Sequence, residues 1–242
     1  RSLSKRRLEL LSGFSSPILW VFLLLIAFVV VAYLQYRFCR DRVSAALGAQ
    51  EDLRDLYHAT LASLAMAIDA KDQYYPGHSQ RVCALALALA NEIGMHDPKE
   101  LEALRAASLL HDIGKLSIPD HILQKPDTLS QWETDKIKTH TNAGADLLAA
   151  VQFPYPVVPF VRHHQERWDG EGYPAGLKRD SIPLGARILC IANCFDALRS
   201  DRPYRKRMSL HAALDYVKEQ SGKSFDPRLV QILVNKIDEF EK

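Results

Sequence analysis

The sequence predicts an all-α protein: one transmembrane helix, a connecting helix, then a helical domain. Three observations carry this reading. Residues 17–34 hold no charge, and from about residue 58 onward apolar side chains recur every three or four positions, with no stretch of strand-like alternation. Helix-start signatures also punctuate the second region, as Asp97-Pro98-Lys99-Glu100, Ser130-Gln131-Trp132-Glu133 and Asp226-Pro227.

Residues 1–16 form a basic flank with Lys5, Arg6 and Arg7, and the chain opens on Arg rather than Met, so an upstream region is expected. The apolar run Pro17–Leu34 reaches about 27 Å as a helix, close to the hydrocarbon thickness of a bilayer. Trp20 near one end and Tyr33 and Tyr36 near the other fit interfacial belts, which sets the span at 17–36. Arg37, Arg40 and Arg42 balance the basic residues before it, so charge alone does not orient the span. A signal peptide fits less well because no small-residue cleavage site follows, and a buried core helix fits less well because the run is apolar all round.

Residues 37–64 read as a connecting helix. Leu53, Leu56, Tyr57, Leu61, Leu64 and Ile68 recur at helical spacing, which suits either a parallel dimer stalk or a cover for one face of the domain. Residues 65–242 form the helical domain, long enough to bury one core. Gly77, Gly114, Gly170, Gly172 and the proline-rich run Phe153–Pro159 mark its breaks.

Composition narrows the function. With 31 basic and 29 acidic residues the chain is no general polycation, so a nucleic-acid polymer is not expected as partner. Cys39, Cys83, Cys190 and Cys194 form no CxxC pair, which argues against a disulfide framework or a zinc ribbon. Cys190 and Cys194 are four apart on a predicted helix and read as packing residues rather than metal ligands.

Two strings carry chemistry: His111-Asp112-Ile113-Gly114-Lys115 and His163-His164-Gln165-Glu166-Arg167-Trp168-Asp169-Gly170-Glu171-Gly172-Tyr173-Pro174. A packed core has no use for so many imidazoles and carboxylates unless they satisfy one another or a metal. Adjacent side chains on a helix diverge by about 100°, so His111 can ligate one ion while both oxygens of Asp112 reach a second. His78, His140 and the His163-His164 pair are available to complete the set. Imidazole mixed with carboxylate suits two divalent transition-metal ions such as iron or manganese, the pairing used for in-line attack on phosphorus. Lys115 can hold a phosphate oxygen as a compact point charge. Arg199, Arg202, Arg205, Lys206 and Arg207 cluster downstream, with Tyr204 among them, a mix suited to phosphate and base contacts.

In this combination the chain resembles the HD-GYP subgroup of the HD phosphohydrolases, the cyclic di-GMP phosphodiesterases of bacteria. The likeness runs from about Ala65 to Leu233 and includes Asp72–Ser79, His111–Lys115, His140, Gly172-Tyr173-Pro174, Ile182–Arg187 and Asp196–Arg205. It implies the HD-superfamily helical fold, with His78, His111, Asp112, His140 and His164 as metal ligands. It further implies Asp112 and Lys115 as catalytic residues, and Lys115, Tyr173, Arg202 and Arg205 as contacts to cyclic di-GMP.

Two positions depart from that pattern. Gln165 stands where a second ligand histidine is expected and Asn193 where an aspartate is expected, so each offers an amide in place of a stronger ligand. His163 and Asp196 lie close enough in sequence to compensate, and Tyr74 stands where some relatives carry a third-metal glutamate, so two metals are the expected maximum. The leading expectation is a metal-dependent phosphodiesterase that opens cyclic di-GMP to linear pGpG or GMP. The alternative is a weakened cyclic di-GMP receptor or partner-binding signalling domain, and an HD hydrolase of another phosphorylated nucleotide ranks third. The resemblance places the domain on the cytoplasmic side of a bacterial inner membrane. Expected partners are a second copy through the connecting helix and a diguanylate cyclase or other signalling protein.

Overall fold

The computed structural model describes residues 17–71, 77–125, 127–201 and 206–240. Among them the chain is helical throughout, with no strand and a single isolated bridge between Ser221 and Phe225. The elements are α1 (Pro17–Lys71), α2 (His78–Glu92), α3 (Pro98–Leu110), a 3₁₀ turn (Ile113–Ser117), α4 (Asp120–Leu123), α5 (Gln131–Lys138), α6 (His140–Ala149), α7 (Val157–Arg162), a second 3₁₀ turn (Arg179–Ser181), α8 (Leu184–Arg199), α9 (Leu210–Glu219) and α10 (Pro227–Phe240).

The chain divides into two units between Tyr57 and His58. The first is α1 up to Tyr57, and every described position from 19 to 56 is exposed. Its apolar stretch makes α1 the one described helix long and apolar enough to cross a membrane. The span and the connecting helix expected from sequence run on as one continuous 55-residue helix.

The second unit closes with the last turns of α1. Here Leu61, Ala65 and Ile68 are buried, whereas Leu64 stays exposed; in the first unit Leu53 and Leu56 are exposed too. The periodic stripe read from sequence is thus two faces, and only the one through Leu61 and Ile68 enters the core. α2 packs on α3 and α8, α3 packs on α7, and α6 packs on α7 and on the first 3₁₀ turn. Leu89, Leu104, Leu110, Ile188, Leu189, Ile191, Leu229 and Leu233 are fully buried between these helices. Burial of each such side chain contributes about 1.5–3 kcal/mol.

The start signals act as expected. Asp97 accepts from the Lys99 amide with Pro98 in the first turn, and Ser130 and Glu133 form both arms of a capping box. Asp226 accepts from the Arg228 amide at 3.0 Å ahead of α10. One local expectation changes. His111 and Asp112 do not share a helix, because α3 ends at Leu110 and Asp112 already opens the 3₁₀ turn.

Candidate metal centre

Each imidazole of the site sits at a helix end. His78 opens α2 after Gly77, whose φ of 75° suits glycine. His111 follows α3, His140 opens α6 directly after α5, and His164 lies just past α7. The last carbonyls of a helix have no partner within it. The Nδ1–H groups of His111, His140 and His164 donate to such carbonyls, those of Ser108, Ile137 and Val161, at 2.8, 2.7 and 2.7 Å. Because a carbonyl only accepts, each Nδ1 carries the proton and each Nε2 presents its lone pair. His78 instead donates from Nδ1 to a carboxylate, Asp196 Oδ2, at 2.6 Å.

These lone pairs converge on one carboxylate. His78, His111 and Asp112 offer ligand atoms within 4.8 Å of one another; Asp112, His140 and His164 do the same, and all five residues are buried. Asp112 belongs to both groups. His140 Nε2 lies 3.7 Å from Asp112 Oδ1, and His111 Nε2 lies 3.4 Å from Oδ2. The rings stack edge to face in series, with centroids 5.5 Å apart for His78–His111, 5.2 Å for His111–His164 and 5.4 Å for His140–His164.

The electrostatics match ligand chemistry. Burial opposes ionisation of Asp112, but Lys115 and then His111, His140 and His78 hold its carboxyl well below the usual carboxylate range. Burial lowers His111, with Asp112 opposing, and lowers His164 strongly with help from the like charges of His111 and His140. Neutral imidazole beside ionised carboxylate is the form that binds a metal. The donor set therefore fits divalent transition-metal ions on an observation of its own: the buried Nε2 atoms of His111 and His164 have no hydrogen-bond partner among the described residues.

This architecture is that of a known family, whose model, described as the HD domain, matches residues 62–229. The chain belongs to the HD domain family. Its HD domain is 38% identical over 191 residues to the cyclic di-GMP phosphodiesterase response regulator RpfG of Xanthomonas campestris, covering 78% of this chain and 50% of that protein. It is 35% identical over 191 residues to a 3′3′-cGAMP-specific phosphodiesterase of Vibrio cholerae, covering 78% and 36%. The chain thus spans half or less of the length of these curated relatives. A solved V. cholerae cyclic GMP-AMP specific phosphodiesterase shares the fold, with a TM-score of 0.60 at 23% identity over 76% of this chain and 50% of that one.

The remaining expected residues of the HD domain fall into three groups. Lys115 and Tyr173 join the site: Lys115 Nζ is 2.8 Å from Asp112 Oδ2, and the Tyr173 ring lies 6.4 Å from that of His140. Burial pushes the Tyr173 phenol up to about 12, so it stays protonated. Gln165 and Asn193 are half-buried, and the Gln165 carbonyl accepts from the Tyr173 amide at 3.2 Å. Arg202 and Arg205, with Tyr74, lie outside the described residues.

Neither compensating residue behaves as the sequence suggested. His163 Nδ1 turns to Glu166 Oε1 at 3.5 Å. Asp196 stands behind His78 and is held there by Arg81 Nε at 2.6 Å. Arg81, three residues past His78, is in helical register with it, whereas Asp196 lies 118 residues away, and its place near Asn193 in the sequence pointed to a ligand rather than to a support for His78. Glu166 is a further support absent from the sequence reading. Its buried carboxylate accepts the Ala175 and Leu177 amides at 2.7 and 3.1 Å, fixing the loop after Tyr173-Pro174.

Proposed function

We propose that this chain is a membrane-anchored, metal-dependent phosphodiesterase that hydrolyses cyclic di-GMP to linear pGpG, GMP or both. The observation that carries the reading is the sharing of Asp112 between two ligand groups, with Lys115 alongside. The relatives named for cyclic di-GMP and cyclic GMP-AMP hydrolysis support a cyclic dinucleotide as substrate.

His78, His111, Asp112, His140 and His164 would hold two divalent ions, iron or manganese, with Gln165 and Asn193 as amide ligands. When bound, such ions supply Lewis-acid stabilisation of the charge that develops on the phosphoryl oxygens and lower the pKa of water. Lys115 meets a non-bridging phosphate oxygen. Tyr173, flanked by the Lys138 ammonium 5.7 Å from its ring centroid, contacts the dinucleotide, and Arg202 and Arg205 add phosphate contacts. The Glu166 carboxylate holds the loop after Tyr173 through the Ala175 and Leu177 amides, beside His140, before substrate arrives.

Residues 17–36 span the inner membrane, residues 37–64 connect, and residues 65–242 form the catalytic domain in the cytoplasm. A homodimer through the connecting helix and a diguanylate cyclase or other signalling partner complete the proposal.

The test uses the full chain in detergent, loaded anaerobically with iron or manganese, with metal counted and cyclic di-GMP turnover followed. Turnover that Asp112→Ala abolishes is the expected result. A second reading rests on Gln165 and Asn193, whose amides bring no negative charge to the site: a receptor that binds the dinucleotide without cleaving it. Silence in the parent with turnover restored by Asn193→Asp would establish that reading instead.

A further inference from the structure

The last turn of α1 grips both arms of the metal centre. Asp69 is buried and accepts from Ser79, at 2.7 Å from the hydroxyl and 3.3 Å from the backbone amide. Ser79 follows His78, and the Gly77 position ahead of α2 provides no side-chain cap. Asp69 therefore supplies from a neighbouring helix the acceptor that the start of α2 lacks. Two residues on, Lys71 donates from Nζ to the carbonyls of Leu116 and Ile118, each at 3.1 Å, and pairs with Asp120 at 3.4 Å. Those carbonyls belong to the segment directly after Lys115.

Side chains two apart on a helix diverge by about 200°. The terminal turn of α1 thus lies between the arm that carries His78 and the arm that carries His111, Asp112 and Lys115, and holds each with a charged side chain. One ligand group is assembled from these two arms alone: His78 from the first, His111 and Asp112 from the second. The other shares Asp112 with it and adds His140, which opens α6, and His164, which follows α7, both outside the two arms.

We infer that Asp69 and Lys71 are positioning residues that set the separation of the two arms, and so above all the metal affinity of the His78–His111–Asp112 group, whose three ligands all lie on those arms, whereas the other group shares only Asp112 with them. This rests on the two-metal reading of the site and adds to it a route from α1. Neither residue touches a ligand group directly. Each acts through the backbone that carries the ligands, as supports outside a coordination shell do.

The experiment titrates Mn²⁺ into the metal-stripped full chain in detergent and resolves the two sites by competition with a chelator. Turnover and thermal unfolding are recorded beside it. Asp69→Asn, which loosens the arm carrying His78 alone, should weaken one of the two ions by about 10-fold or more and leave the other near parental affinity, whereas Lys71→Met, on the arm that carries the shared Asp112, should weaken that same ion at least as much and the other by less. Lys71→Arg should restore most of the loss, because a guanidinium can still donate to two carbonyls. Ser79→Ala removes the Asp69 hydroxyl bond from the opposite side and should reproduce part of the Asp69→Asn defect, which keeps the test decisive if Asp69→Asn does not fold. Two parental affinities in every variant would overturn the inference, as would weakening of both sites in proportion to lost thermal stability. A parent that binds two ions but turns nothing over speaks against catalysis and leaves the positioning result intact. A parent that binds no metal removes both.

Discussion

His111, His140 and His164 are prepared by one device: a ring placed at a helix end so that Nδ1–H satisfies a carbonyl three residues back and Nε2 faces inward. Sequence shows the imidazoles and their neighbours, and the five residues that the fold gathers into two groups are among the seven positions where the family resemblance implies a ligand, Gln165 and Asn193 being the other two. It does not show the tautomer, because that depends on where a helix stops, and α3 stops one residue before His111. The supporting roles of Asp196, read from sequence as a replacement ligand, and of Glu166 are hidden for a related reason, since their partners are set by tertiary folding rather than by spacing. Two substitutions test this layer. Asp196→Asn keeps the size of the group behind His78 but removes its charge, and should lower metal affinity by about 10- to 100-fold, read by chelator competition. Gly114→Ala adds a methyl group that would run into the His140 carbonyl and the Gly144 amide. Close packing of the first 3₁₀ turn on α6 brings Asp112 to His140, so this variant should lose about 1–3 kcal/mol in urea unfolding and lose metal with it.

Helices with strong start signals were readable, and those built from long-range packing were less so. α3 and α5 announced themselves by their caps, whereas the stripe on α1 split into a buried and an exposed face because only its last turns meet the domain. The start of α10 shows how such a junction can be probed. Asp226 is buried at the head of that helix, where it accepts from Arg228 at 2.8 Å and from Arg187 at 2.8 Å, and Asp180 binds both arginines. Burial alone would raise the Asp226 carboxyl, but the hydrogen bonds from Arg228 and Arg187 hold it below its ordinary value. A carboxyl lowered in the folded state contributes stability above its unfolded pKa and loses it as pH falls through the folded one. Stability should therefore drop on acidification below about pH 4, and Asp226→Asn should flatten that acid limb while lowering stability at neutral pH. Denaturant titrations of both proteins between pH 3 and 7 check this; parallel curves would show that Asp226 does not contribute to the limb.

α1 continues unbroken from an apolar, wholly exposed stretch to the turn that carries Asp69 and Lys71, so these two residues and the proposed membrane span lie on one helix. Residues 19–56 are exposed along their whole length. The apolar length argues for lipid over the first part. Beyond it, Val43, Leu47, Leu53 and Leu56 remain exposed among charged neighbours, the residue types that a paired helix would bury. Cys39 offers a reporter already in place, since it is exposed on α1 just past the proposed span, while Cys83 is buried and Cys190 and Cys194 are half-buried. Burial also pushes the Cys83 and Cys190 thiols up to about 11 and about 12, which keeps them protonated and slow to oxidise. If two copies pair through parallel α1 helices, mild oxidation of membranes that carry the chain should link them into a disulfide dimer through Cys39 alone. Non-reducing electrophoresis reads the dimer, Cys39→Ser should abolish it, and Cys194→Ser should leave it unchanged. A monomer under conditions that fully oxidise an engineered cysteine pair at the same depth would exclude the parallel stalk and leave α1 as an anchor for a single copy.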